Sequence, residues 1–108
     1  MIVVEPQRWF GENFRLDFLI SYHFFGKLLQ IAVECDGHDF HERTKAQARK
    51  DRKRDRDLQS LGVDPYRFTG SEIHASPILC ASEVLDAIEC FQTQVFVEAM
   101  ESSKRRVA

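Results

Sequence analysis

Between residues 28 and 36 the chain alternates with a two-residue period. Leu29, Ile31, Val33 and Cys35 interleave with Leu28, Gln30, Ala32, Glu34 and Asp36, and Gly37 follows. That period predicts a β-strand stopped by the glycine. The β-formers of residues 13–22 predict another strand, with Phe14, Leu16, Phe18 and Ile20 on one face and Asp17 on the other, among Arg15 and Leu19. A turn at Gly26-Lys27, after Phe24-Phe25, joins the two. Residues 2–4 read as a short strand ended near Pro6.

The spacing then changes. Residues 43–61 predict a long helix, for which Thr44 and Gln47 have capping-box spacing, Asp39 with Glu42 offers a competing start, and Gly62 is a left-handed terminator. A strand over 66–69 follows, and Pro65 weakens it or puts it near a sheet edge. Gly70-Ser71 opens a turn. Ser76-Pro77 starts a last helix, along which Ala81, Val84, Leu85, Ile88, Phe91 and Val95 keep helical spacing. Residues 101–108 are expected to fray. The order β-β-β-α-β-α implies an antiparallel strand pair followed by a right-handed parallel crossover. The expected fold is therefore a single α/β domain over residues 1–100, a mixed sheet with helices packed on it.

At 108 residues, 44% hydrophobic and 30% charged, the chain has the composition of one folded domain. No apolar run approaches the roughly 20 residues of a bilayer span. Met1 leads straight into Ile2-Val3-Val4-Glu5, too short and too poor in basic residues for a secretory leader. Cys35, Cys80 and Cys90 lack the spacing of a zinc site or disulfide framework, which suits reduced thiols in the cytoplasm. The net charge of −2 conceals a basic stretch. Residues 41–57 hold eight Lys or Arg, including Lys45, Lys50, Lys53 and Arg54, against four acids, Glu42, Asp51, Asp55 and Asp57. Such a run is either a solvated helix face laced with ion pairs or a surface for phosphate.

The chemistry concentrates at Val33-Glu34-Cys35-Asp36-Gly37-His38. Carboxylates at i and i+2 share a sheet face about 6.6 Å apart, and an adjacent antiparallel strand brings opposed side chains within about 5 Å. Asp17, Glu34 and Asp36 are thus candidates to converge on a hard cation such as Mg²⁺, which ordinarily takes one or two carboxylates with water and substrate phosphate. The structural alternative pairs Asp17 with Arg15 or a helix arginine and leaves Asp36 to cap the Gly37 turn.

Taken together, Arg15-x-Asp17-Phe18, Val33 to His38, Phe40-His41-Glu42-Arg43-Thr44, Gln47, Asp51-Arg52-x-Arg54-Asp55 and Arg67-Phe68-Thr69-Gly70-Ser71-Glu72 resemble a bacterial family. It is the family of small proteins related to very-short-patch-repair (Vsr-like) endonucleases, within the PD-(D/E)XK nuclease superfamily. The resemblance covers most of residues 5–80. It implies a restriction-endonuclease-like core, with Asp17 and Glu34 as metal ligands on the second and third strands. Two departures stand out: Asp36 occupies the place of the superfamily's strand lysine, and the core helix that should precede the first strand is absent or supplied by another subunit.

The helix offers substitutes. At 100° per residue, Gln47, Asp51 and Arg54 share a face with Leu58 and Leu61. Gln47 is a candidate to hold a catalytic water or phosphate, and Arg54 or Lys50 to neutralise phosphate charge. A buried Asp51–Arg54 pair is the structural alternative. His38 and His41 flank Asp39-Phe40 beside the acids. They are candidates for general acid–base chemistry or phosphate contact, or are ordinary surface histidines.

The expected activity is a Mg²⁺- or Mn²⁺-dependent DNA endonuclease. The catalytic set is Asp17, Glu34, Asp36, Gln47 and His38, the metal set Asp17, Glu34 and Asp36, and the phosphate-contacting set His41, Lys50, Lys53 and Arg54. The alternative is a nuclease-fold module that binds nucleic acid or a partner protein without cutting, and RNA in place of DNA is a third option. Phe91, Phe96 and Val97 spread too widely around the last helix for one packed face, which points to a homodimer through that helix.

Overall fold

The structure is a computed structural model, and it describes residues 1–37 and 44–107. Four strands form one sheet in the order β1-β2-β3-β4: β1 (Ile2–Phe10), β2 (Phe14–Phe24), β3 (Lys27–Asp36) and β4 (Val63–Thr69). β2 runs antiparallel to both β1 and β3, whereas β4 lies parallel to β3 after crossing over through helix α1 (Lys45–Ser60). A short helix α2 (Gly70–Ala75) leads into α3 (Pro77–Val107). The mixed α/β sheet expected from the sequence is what forms.

The turn chemistry explains the hairpins. Phe25 and Gly26 both take positive φ, 49° and 73°, as a two-residue loop between right-twisted strands demands. The two strand prolines, Pro6 in β1 and Pro65 in β4, both sit on edge strands, where a missing N–H costs the ladder least. β1 therefore continues past Pro6 to Phe10 instead of ending there. Thr44 and Gln47 close a reciprocal capping box on α1, and Thr69 and Glu72 do the same on α2. The competing Asp39–Glu42 start lies outside the described residues.

The core has two compartments, one on each face of the sheet. Leu58 of α1 packs with Leu16, Leu19, Ala32 and Val63. Val84 and Ile88 of α3 pack with Tyr22, Ile31 and Phe68 on the opposite face. The expected common face for Phe14, Leu16, Phe18 and Ile20 does not exist. Phe14 and Leu16 join the α1 compartment, and Ile20 joins the α3 compartment. The strand switches faces at Asp17, where the β1–β2 ladder also skips Asp17 and Gln7, and Gln7 carries a φ of 51°.

Two more expectations change. Leu61 does not continue the buried stripe of α1; it is the C-cap residue and is 56% exposed. Nor does the chain leave helix at residue 101. α3 runs to Val107, and Lys104, Arg105 and Arg106 in its last turn oppose the negative end of the helix dipole. No helix among the described residues is long and apolar enough to cross a membrane.

Candidate carboxylate and guanidinium site

The β2–β3 ladder ends at Phe18 opposite Val33. One more step in the same register would set Asp17 opposite Glu34, but there the backbones stop pairing. Instead the Asp17 carboxylate reaches across and its Oδ2 accepts the N–H of Cys35 at 2.7 Å. A side chain replaces a backbone carbonyl, which accounts for the change of face at this residue. It also brings the acid of β2 to the end of β3, as the two-strand reading expected.

Glu34 points to the α1 side and is 7% exposed, the only buried charged residue among those described. A carboxylate so placed needs a partner. Arg54 of α1 supplies it: Nη2 donates to Glu34 Oε1 at 2.8 Å and to the carbonyl of Arg15 at 2.8 Å. The guanidinium also lies 5.5 Å from the Phe14 ring centre. The acid that meets a helix arginine is thus Glu34, whereas Asp17 takes a backbone N–H.

Arg67 extends the network. It sits on β4 opposite Glu34 in the parallel register, donates to Asp55 Oδ1 at 3.0 Å, and approaches Asp51 at 4.0 Å. Burial works against its charge, but the Asp55 hydrogen bond and the charges of Asp55, Asp51 and Glu34 win, so the guanidinium holds its proton more tightly than usual. Its Nε is buried without a hydrogen bond, a cost this network carries. In place of the alternative Asp51–Arg54 pair, Arg54 meets Glu34 and Arg67 meets Asp55, and each pair ties α1 to the sheet. The sequence pattern alone assigns Arg67 and Asp55 no role in the site, yet they bond each other there. The available signal was an arginine between Tyr66 and Phe68 on a half-buried strand, which needs acids facing it.

Cys35 reports on the same place. Its thiol is pushed above the usual range, first by burial and then by the charges of Asp17 and Glu34, so both carboxylates act on one sulfur. Asp36 is half-buried and opposite Thr69 in the β4 register. Gln47 is exposed, and its side-chain oxygen accepts from the Thr44 N–H in the cap. The cap accounts for Gln47 without a catalytic task, and the helix face expected to carry it turns inward only from Asp51 onward. His38 and His41 lie outside the described residues.

Helix α1 sorts its charges. Asp51, Arg54, Asp55 and Asp57 are partly buried, while Lys45, Arg49, Lys50, Arg52, Lys53 and Arg56 are exposed. The outward surface of the helix is thus cationic, although Lys53 is held by Asp57 at 3.1 Å. Lys50 and Lys53 join Arg54, Phe14, Asp51 and Asp57 around a hollow of about 350 Å³. Arg54 thereby links the carboxylates to the basic flank.

Among the described residues, no three His, Cys, Asp or Glu side chains gather as a metal-holding group. A cation site here would rest on Asp17 and Glu34. Each commits one oxygen to a protein partner and keeps the other, and carboxylate oxygens are the donors that a hard cation such as Mg²⁺ ordinarily takes, one or two at a time. No protein-family model matches the chain, and searches of curated proteins and of solved structures find no match either.

Proposed function

We propose that this chain is a nuclease-type domain that binds nucleic acid along α1 and hydrolyses its phosphodiester bonds with a divalent cation held at Asp17 and Glu34. The observation that carries the reading is the break in the β2–β3 ladder, where Asp17 holds the Cys35 N–H next to buried Glu34, and Arg54 links Glu34 to a hollow that Lys50 and Lys53 also line. The family resemblance of Asp17, Glu34 and the α1 motif supports it.

The roles divide by position. Asp17 is oriented by the Cys35 N–H and Glu34 by Arg54, so neither has to be ordered when a ligand arrives. Arg54 neutralises Glu34 in this arrangement and stands next to Lys50 and Lys53, so a phosphate there would meet Lys50 and compete with Asp57 for Lys53. When bound there, Mg²⁺ or Mn²⁺ supplies polarisation of the phosphoryl oxygen and a more acidic attacking water. Asp36 assists from the end of β3.

A second reading, a module that binds without cutting, is favoured by one observation: Glu34 already has a cation in Arg54. Incubating the chain with labelled duplex DNA, single-stranded DNA and RNA in millimolar Mg²⁺ or Mn²⁺ separates the two. Cleavage that disappears in Asp17→Asn and Glu34→Gln, with binding retained, supports the nuclease. Binding with no cleavage of any substrate assigns the module. Loss of neither activity on neutralising Lys50 and Lys53 together moves the nucleic-acid surface elsewhere.

A further inference from the structure

Beyond the buried Val95, the end of α3 stands clear of the core. The helix has 31 residues, about 46 Å at 1.5 Å per residue. Its contact with the sheet compartment runs from Cys80 to Phe91, and Gln92 adds a hydrogen bond to the Tyr22 hydroxyl at 2.6 Å. From Phe96 onward every residue with a described side chain is exposed. A stretch of roughly 12 residues is marginal as a lone helix in water. Yet it carries Phe96, Val97 and Met100, all about half exposed.

These residues belong to a second apolar stripe. At 100° per residue, Ile78, Leu85, Phe96 and Met100 fall within about 60° of one another, on a side of the helix distinct from Val84, Ile88 and Phe91. Ile78 and Leu85 are exposed as well. Beside that stripe, α3 and the β1–β2 edge enclose an apolar groove of about 390 Å³, walled by Val4, Phe18, Ala81, Leu85 and Ile88 among others. The stripe and the groove are continuous through Leu85.

Charge selects the occupant. Between Pro77 and Ser103 the helix has no lysine or arginine; it exposes Glu83, Asp86 and Glu89 in its first half and Glu98 and Glu101 in its second. The last turn exposes Lys104, Arg105 and Arg106. We propose that α3 pairs with α3 of a second copy of this chain, antiparallel and about a two-fold axis. That arrangement brings each basic end beside the partner's Glu83 and each Phe96–Met100 segment beside the Ile88 end of the partner's groove. A parallel pair would stack like charges, whereas the antiparallel pair makes each attraction twice.

Sedimentation or light scattering of the full chain at tens of micromolar tests this, independently of any nuclease assay. Wild type is expected at twice the monomer mass. Phe96→Glu and Leu85→Glu change exposed positions, and both are expected to give a monomer with unchanged helical circular dichroism. Reversing Lys104, Arg105 and Arg106 to Glu should weaken association at least about tenfold. Reversing Glu83, Asp86 and Glu89 to Lys in the same chain should restore it. A monomeric wild type overturns the proposal, as does a dimer indifferent to Phe96→Glu. Failure of the second charge reversal to rescue the first excludes the antiparallel arrangement.

Discussion

The two faces of this sheet are built on different principles. Toward α3 the buried residues are apolar, and the face gains its stability from area and shape: Tyr22, Ile31, Phe68, Val84 and Ile88. Toward α1 an apolar patch around Leu58 gives way, at the carboxyl end of β3, to Glu34, Arg54, Arg67 and Asp55 in alternating charge. The same helix that closes the core therefore delivers the polar groups. An apolar face tolerates reshaping in proportion to volume lost, but an ion network fails when a single partner leaves. Such a network is poor value as a stability device alone, since apolar residues of similar size often do as well. Its presence at the point where the β2–β3 ladder opens argues for use.

The largest effect should come from the apolar face. Ile31 is fully buried, and Ile31→Ala should cost about 3–4 kcal/mol in a denaturant titration. On the other face, Arg54→Met leaves Glu34 without its cation. Because the Arg54 side chain is 30% exposed, a cost of about 2 kcal/mol is expected instead of the full penalty of a dry pair. Combining it with Glu34→Gln should then cost about 1 kcal/mol less than the two separate losses added together. Strict additivity would show that the pair contributes nothing as a pair. Thr44→Ala removes only the cap of α1 and should cost about 1 kcal/mol.

A subtler reporter is Cys35. Its raised thiol stays protonated at a pH where an ordinary thiol has begun to ionise, so alkylation at mildly alkaline pH should be slow despite its exposure. A cation between Asp17 and Glu34 would cancel the second and third causes of the shift. Millimolar Mg²⁺ should therefore speed alkylation of Cys35 while leaving the exposed Cys90 on α3 unchanged. Burial, the largest cause, would persist, so the thiol should not return fully to ordinary reactivity.

Much of this was legible in the residues. The alternation of β3 and the Thr44–Gln47 cap appear where their spacing puts them, because each depends on neighbours within one turn or one strand; of the stripe Gln47, Asp51, Arg54, Leu58 and Leu61, only the middle three turn inward. The switch of faces in β2 was not legible. It depends on Asp17 bonding to Cys35, 18 residues away, and local alternation cannot register that. The partner of Glu34 is not legible: the sequence offers a helix arginine only as an alternative partner for Asp17, and the register that delivers Arg54 to Glu34 requires the sheet. The length of α3 was hidden because residues 101–106 are polar, and polarity alone does not separate a solvated helix from a frayed end.

Under the proposed function Glu34 serves two cations, Arg54 and a divalent ion. Thermal unfolding with and without millimolar Mg²⁺ tests it in three chains: wild type, Arg54→Met and Glu34→Gln. If the site exists only in the folded state, Mg²⁺ raises the midpoint of wild type by mass action. In Arg54→Met the carboxylate no longer has its competing partner, so the Mg²⁺-dependent rise should be larger, while Glu34→Gln should show none. An equal response in all three chains, or no response in any, would contradict the claim and leave Glu34 as the partner of Arg54 alone.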